Sequence, residues 1–561
     1  MNAWWKEGLI YQVYPRSFKD SNNDGIGDIP GIISRLDEIA ELGARAIWLS
    51  PVYKSPQIDN GYDISDYLSI DPVFGEMADM ERLIGEAKKR GMGIVMDLVV
   101  NHTSDEHEWF QKSRRREEPY TGYYIWEKAP NNWTSFFMED AWSCDETRGE
   151  YYLHLFHKKQ PDLNYHNPLV LEEVKKILEF WLNKGVAGFR CDVINVLWKT
   201  SLEDGKKSIM LTGLEHYKCQ EGNHEILRQL RRDVLDSYDC FTVGEAVMIN
   251  PEDAKLLSDE SRRELDMVFY FDHLEVDRVF SRFVPKKFRA KELLKRLAKW
   301  QQGLDWNALY LENHDQTRIV SHYGDDRGAG ERGSPWERSA KLMATLLFTL
   351  RGTPFIFQGQ EIGMTNFDLS GLDEVKDIEA HNLDRLMKKL FLPKGLRWKW
   401  LRLSSRDNSR TPYQWDSSAQ AGFSNGAPWL KVNANHKKLN YAAQKNDPDS
   451  VLSYYKKMAA LRASSGTLQY GGFKPLLAKG SLLMYSREAD AVQIAQGYVG
   501  RQNDARAFVA VFNFSPKRIK LNGDARVLLQ GKIAASNIGR TFWDNSQAHL
   551  EAWEALVLQA N

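Results

Sequence analysis

Arg190 and Asp192 stand two residues apart in the apolar run Gly188–Ile194. On an extended segment, residues two apart point to the same face. A guanidinium beside a carboxylate lowers its pKa and keeps it ionised, as a nucleophile must be. Glu245 lies in another apolar run, Phe241-Thr242-Val243-Gly244-Glu245-Ala246. There, desolvation and neighbouring acids raise a carboxyl pKa and suit it to donating a proton. Two carboxyl groups in unlike environments are the pattern for cleaving a glycosidic bond. Asp97, Asn101 and His102 close a third run, and His314 and Asp315 close a fourth. A single acid at such a place is usually a satisfied structural group, since burial is expensive. Acids at the same end of successive runs point instead to one shared site, in which His102 and His314 serve as donors to hydroxyl groups. Which carboxylate does which job stays open at this level.

These residues need a frame that brings run ends together. Eight short apolar runs read as strands: Leu9–Pro15, Ala46–Val52, Gly93–Val100, Gly188–Ile194, Cys240–Ala246, Met267–Phe271, Asn307–His314 and Pro354–Gln360. Most lack period-two alternation, as strands buried on both faces do. Amphipathic helical stripes lie between them, such as Ile32, Leu36, Ile39 and Ala40 before Gly43. A second runs from Val170 through Val174, Ile177, Leu178 and Trp181, and a third from Trp336 through Ala340, Met343 and Leu347 to Leu350. Alternating strands and helices predict an α/β fold, a (β/α)8 TIM barrel with reactive side chains at the C-terminal strand ends.

The connection after the third strand is too long for an ordinary loop and predicts an inserted subdomain over 102–168. The barrel then occupies 1–101 and 169–478, and 479–561 predicts a C-terminal antiparallel β-domain, a sandwich. Its expected strands are Ser481–Ser486, Val492–Tyr498, Ala507–Phe514, Arg526–Leu529 and Ala555–Gln559. Thr365–Asn446 reads as polar and irregular, before a helix near Ser450–Ala463.

With 75 basic against 76 acidic side chains, the net charge is −1, which argues against nucleic acid as the main partner. No apolar run approaches the roughly 20 residues that span a bilayer, so no membrane partner is expected. The N-terminus, Met1-Asn2-Ala3-Trp4-Trp5-Lys6-Glu7, lacks a basic stretch followed by an apolar one, so no signal peptide is expected. Cys144, Cys191, Cys219 and Cys240 show neither paired metal spacing nor a disulfide framework, which fits reduced thiols and a cytoplasmic location. The 18 Trp, 23 Tyr and 25 Phe include rings suited to the C–H faces of sugars, although most must fill cores. Asp20-Ser21-Asn22-Asn23-Asp24-Gly25-Ile26-Gly27-Asp28 places oxygen ligands at alternate positions about a turn. It predicts a structural Ca²⁺ or Mg²⁺ held by Asp20, Asn22, Asp24, the Ile26 carbonyl and Asp28, apart from the chemistry. Position twelve is Gly31 rather than the Glu of an EF-hand, and the bland alternative is an Asx-rich turn.

Four blocks carry a family resemblance: Asp97-Leu98-Val99-Val100-Asn101-His102, Gly188-Phe189-Arg190-Cys191-Asp192, Val243-Gly244-Glu245-Ala246 and Glu312-Asn313-His314-Asp315-Gln316. In type and order they resemble the signature blocks of the α-amylase family of glycoside hydrolases. The resemblance implies Asp192 as nucleophile, Glu245 as acid/base and Asp315 as the third carboxylate, with Arg190, His102 and His314 lining the glucose subsite. Gln160-Pro161-Asp162-Leu163-Asn164 is similar to the form in the oligo-1,6-glucosidase branch, which includes dextran glucosidases and isomaltases. Asp59 and Tyr62 in Asp59-Asn60-Gly61-Tyr62-Asp63 resemble the residues that hold and stack on the non-reducing-end sugar, and Arg410 looks like Asp59's partner. Such a charged pair closes the far wall and implies exo-action. Val193, directly after the implied nucleophile, is typical of α-1,6-preferring members, whereas Cys191 replaces a commoner Met or Leu without evident reason.

The expected activity is therefore retaining release of α-glucose from short α-1,6-linked oligosaccharides, by a monomer or weak homo-oligomer. An α-1,4-glucosidase, a trehalose-cleaving enzyme, and a sucrose isomerase or transglucosidase on the same scaffold are the alternatives. No Arg-Leu-Asp-Arg-Asp segment precedes the seventh strand, which counts against isomaltulose synthesis. A non-enzymatic transporter subunit would carry a membrane helix and need not keep the carboxylates.

Overall fold

The computed structural model describes residues 3–208, 211–279, 284–495, 497, 504–529, 531–544 and 548–560. Eight parallel strands form one sheet: β1 (Leu9–Val13), β2 (Ala44–Leu49), β3 (Gly93–Leu98), β4 (Gly188–Cys191), β5 (Phe241–Glu245), β6 (Met267–Phe269), β7 (Ala308–Leu309) and β8 (Thr353–Phe357). They hydrogen-bond in the order β6-β5-β4-β3-β2-β1-β8-β7. Cα atoms of β6 and β7 come within 8 Å of each other and bring the sheet to near closure. All eight expected strands are present, and nearly every residue in them is buried, which explains their lack of alternation.

Helices with legible caps wrap the sheet. In α1 (Pro168–Asn183) the Asn167 side chain accepts from the Leu169 amide, and Pro168 takes the first turn, where its missing N–H is no loss. Gly185, at φ +95°, lets the chain leave that helix in the left-handed region. In α2 (Pro335–Thr349) Ser334 accepts from Glu337 N. The stripe from Ile32 to Ala40 is not one helix but two, Ile29–Ile33 and Leu36–Glu41, because Arg35 leaves helical geometry at φ −127°, ψ 16°.

Register places the reactive residues. Asp97 in β3 is paired with Arg190 in β4, and Gly244 in β5 with Cys191, so Glu245 and Asp192 follow one step on. Behind β3, a three-stranded sheet in the order Trp126–Glu127, Glu150–Leu153, Trp142–Asp145 stands over the barrel mouth. Its core of Ile125, Trp133, Trp142, Leu153 and Leu155 also takes in Val193, Val196 and Tyr217 from beyond β4.

The segment after β8 departs from the expected irregular stretch. It folds into an antiparallel helical pair, α3 (Ile378–Lys389) and α4 (Lys394–Ser404), followed by a turn of helix over Asp407–Arg410. Phe367, Leu369, Val375, Leu383, Met387 and Leu401 give the pair a small core of its own. The high charge of α4 hid its apolar stripe.

The C-terminal sheet comprises β9 (Gly472–Lys479), β10 (Leu482–Glu488), β11 (Ala507–Asn513), β12 (Lys532–Ser536) and β13 (Ala555–Ala560), ordered β9-β10-β11-β13-β12. Alternation splits its faces. Leu483, Tyr485, Phe508, Phe512 and Val557 join the barrel core, while Met484, Val509, Val511, Leu556 and Leu558 build a second one. Two expected strands are absent as such. Over Val492–Tyr498 the described part is the helix Ala491–Ala495, nucleated by a reciprocal cap between Asp490 and Gln493; Gln496 and Tyr498 lie outside the described residues. Arg526–Leu529 overlaps the helix Asp524–Val527, and the strand comes later, at Lys532.

Candidate active site

Arg190 is the hub. Its guanidinium, 1% exposed, donates from Nη1 to Asp97 Oδ1 at 3.1 Å and to Asp192 Oδ1 at 2.5 Å, and from Nη2 to Glu245 Oε2 at 2.5 Å. The ring of Trp48 lies 5.4 Å and that of Tyr62 5.7 Å from the guanidinium carbon, a stacking that a planar cation favours. One positive charge thus faces three buried carboxyls, which cannot all ionise cheaply. Burial pushes Asp97 up to about 6. Burial also raises Asp192, against the pull of Arg190. That corrects the expectation that Arg190 alone would hold Asp192 low. Burial raises Glu245 further, with Asp192 and Asp315 adding to the rise. The mutual influence of the two acids lowers Asp192 and raises Glu245, which favours the proton on Glu245.

A second chain of hydrogen bonds runs behind the hub. Gln12 Nε2 lies 2.9 Å from His314 Nδ1, His314 Nε2 2.7 Å from the Tyr62 hydroxyl, and that hydroxyl donates to Asp97 Oδ2 at 3.0 Å. With the Gln12 amide donating, His314 carries its proton on Nε2, an assignment made from the network. Burial lowers His314 to about 3, so the ring is neutral. It stacks on Tyr62 with centroids 5.4 Å apart and planes within 5°. His102 is also held neutral by burial, with Nε2 3.1 Å from the Tyr62 carbonyl oxygen.

The far wall comes from different elements. Arg410 donates from Nη2 to Asp315 Oδ1 at 2.6 Å and from Nε to the His314 carbonyl at 2.9 Å. The ion-pair partner of Asp59 is Arg406, at 3.6 Å, and not Arg410 as expected. Arg406 also faces Asp315 at 3.5 Å, Asp377 at 2.8 Å and Glu379 at 3.7 Å. Asp59 Oδ1, Arg406 Nη2 and Arg410 Nη1 are buried without a hydrogen-bond partner. Asp59 Oδ1 and Arg406 Nη2 face each other at ion-pair distance; buried polar atoms are normally hydrogen-bonded, so these three keep bonding capacity that a polyhydroxylated ligand can take up.

Of the expected residues, Asp59, Tyr62, His102, Arg190, Asp192, Glu245, His314, Asp315 and Arg410 converge here. Val193 turns away into the apolar core of the insertion, 4% exposed and at φ +36°. A β-branched residue in that region is strained, and the strain sits directly after Asp192. Arg406, Asp377 and Gln12 were not anticipated. Arg406 and Arg410 are four apart across one helical turn, a spacing that could have signalled a shared face.

The side chains of the loop from Asp20 to Asp28 bond within the loop and to Gly31, Ser424 and Asn425. Asp20 accepts from the amides of Asn22, Asn23 and Gly25, Asp24 from Ile26 N, and Asp28 from Ser21 N and Gly31 N. Its donor set is all oxygen, which suits a hard divalent cation. Among the described residues, however, no three His, Cys, Asp or Glu side chains gather as a metal-binding group.

Residues 12–471 match the model of the "Alpha amylase, catalytic domain" family. An oligo-1,6-glucosidase from Parageobacillus thermoglucosidasius is 48% identical over 491 residues, 85% of this chain and 86% of that one. A glucan 1,6-alpha-glucosidase from Streptococcus pneumoniae serotype 4 is 41% identical over 548 residues, covering 96% and 95%. Among solved structures, an isomaltulose synthase from Erwinia rhapontici NX5 in complex with sucrose superposes with a TM-score of 0.91 at 38% identity, over 100% of this chain and 99% of the other.

Proposed function

We propose, since this chain belongs to the alpha-amylase catalytic-domain family and is a glycoside hydrolase, that it is an exo-acting retaining α-glucosidase. Its substrates are short α-glucosides, preferentially α-1,6-linked. The observation that carries the mechanism is the pairing of Asp192 and Glu245 on one guanidinium. Inverting enzymes hold their carboxyls roughly 6.5–9.5 Å apart to admit a water, whereas retaining ones hold them at about 5–5.5 Å. Two carboxyls that accept from the two terminal nitrogens of one guanidinium, each at 2.5 Å, fit the shorter of these separations.

In this reading Asp192 attacks the anomeric carbon while Glu245 passes its proton to the glycosidic oxygen, which departs as an alcohol. The glucosyl ester on Asp192 is then attacked by water, whose proton returns to Glu245. Arg190 keeps Asp192 ionised, and its charge balances Glu245 once that proton has left. Asp315, steered by Arg406 and Arg410, grips ring hydroxyls, and Tyr62 offers its ring to the sugar face. Asp59 with Arg406 walls off the pocket, so that only a chain end enters.

The linkage preference rests on the oligo-1,6- and glucan 1,6-glucosidase relatives and not on the bulk of Val193, whose side chain lies in the core of the insertion. Comparing kcat/KM for isomaltose, maltose, sucrose and trehalose tests it, with isomaltose expected first. NMR of the first product should show α-glucose; β-glucose first would refute retention. The likeness to an isomaltulose synthase supports a second reading, in which a sugar rather than water attacks the ester. Sucrose would then yield an isomer instead of glucose plus fructose.

The loop Asp20–Asp28 is proposed to hold Ca²⁺ or Mg²⁺ as a structural ion through Asp20, Asn22, Asp24, the Ile26 carbonyl and Asp28. Calorimetric titration of chelator-treated protein with either ion checks this, with silence counting against it. The four cysteines are free, which supports a reducing, cytoplasmic setting. Among the described residues no helix is long and apolar enough to cross a membrane.

A further inference from the structure

The tip of the α3–α4 hairpin is unlike the rest of the surface. Phe391 is 93% exposed, Leu390 62% and Leu396 38%. Phe391 also sits at φ +58°, closing α3 where a helix ordinarily places glycine. Its amide bonds to the Lys388 carbonyl, and that of Leu392 to the Met387 carbonyl, so the conformation is fixed while the ring points outward. The charge there is just as skewed. From Arg385 to Arg402 the sequence has seven Lys and Arg and no Asp or Glu, in a chain whose net charge is −1. Arg385, Arg397 and Arg402 are paired with Glu139, Asp384 and Asp368. Lys388, Lys389, Lys394 and Lys399 are exposed and in no ion pair among the described residues.

We infer that this tip docks on the surface of an anionic lipid bilayer, with Leu390, Phe391 and Leu396 entering the interface and the four lysines lying among the headgroups. Phe391 projects with 93% of its surface exposed, whereas a sugar or peptide site would be concave with acceptors around its aromatic ring. A second copy is disfavoured, since it would set four lysines against four lysines. Apolar side chains ringed by unpaired ammonium groups match both the apolar depth and the negative charge of such a surface. The contact is peripheral and needs no spanning helix. Arg406 lies beyond the far end of α4, whose 11 residues extend roughly 16 Å, so docking leaves the catalytic mouth free.

The test is co-sedimentation of the full chain with vesicles of phosphatidylcholine alone or mixed with phosphatidylglycerol, at low and high salt. Binding is expected only to the mixed vesicles and should weaken with salt. Phe391→Ser should weaken it by about tenfold or more, and Lys→Gln at 388, 389, 394 and 399 by roughly fivefold per site. Thermal melting and isomaltose turnover should match wild type in every variant, because none of these side chains reaches the site. Failure to pellet with mixed vesicles at low salt would overturn the inference. So would F391S binding like wild type while duplex DNA competes, since that pattern belongs to a simple polyanion site.

Discussion

The two sides of the candidate active site are built by different means. The near side, Asp97, Arg190, Asp192 and Glu245, comes from three adjacent parallel strands, and ladder register sets its geometry. The far side, Asp59, Arg406, Arg410 and Asp377, comes from a loop after β2 and a helical insert after β8, and side-chain ion pairs and hydrogen bonds, not strand register, set it. Strand register tolerates no partial adjustment, because a one-residue slip reverses every side chain. A charge network can shift by exchanging partners. In the proposed mechanism, chemistry thus falls on the rigid side and substrate choice on the adaptable one.

Substitutions can break this division or sharpen it. The largest loss is expected from Asp192→Asn and Glu245→Gln, each lowering kcat for isomaltose by about 10³-fold or more with unchanged circular dichroism. On an aryl α-glucoside, whose leaving group needs no proton, Glu245→Gln should recover in the first step and Asp192→Asn should not. Equal recovery would erase the assigned roles. Arg190→Gln should lower kcat by about 10²-fold and move the acid limb of the pH profile upward. Its charge pulls the Asp192 pKa down, so without it the ionised carboxylate appears only at higher pH; an unmoved limb would contradict the hub. On the far side, Arg406→Lys or Asp59→Asn should act mainly through KM, lowering kcat/KM by roughly tenfold. An equal loss confined to kcat would place these residues with the chemistry after all. The smallest effect is expected from Val193→Ala: its side chain faces the core of the insertion and not the pocket, so the isomaltose-to-maltose ratio should stay within about twofold of wild type.

The same division governs what was legible in the sequence. Strand-borne residues announce themselves, because a charge within an apolar run has few innocent explanations; Asp97, Arg190, Asp192 and Glu245 were all visible in this way. Arg406 was not, since it lies in a polar stretch where one more arginine carries no contrast. Arg410 was marked, but its partner could not be known until the hairpin was in place. All eight barrel strands were readable from apolar content. By contrast, the helices Ala491–Ala495 and Asp524–Val527 were mistaken for strands, because short apolar runs do not reveal their period and the local caps decided the outcome.

The shared guanidinium has a consequence for how such an enzyme can change over generations. Because Arg190 serves three acids at once, replacing any one of them alters the charge felt by the other two. Mutations at these positions are therefore strongly epistatic, and single steps lead into inactive sequences. The four positions behave as one heritable unit, and diversification is channelled into the insert after β8, where new substrates can be tried one substitution at a time.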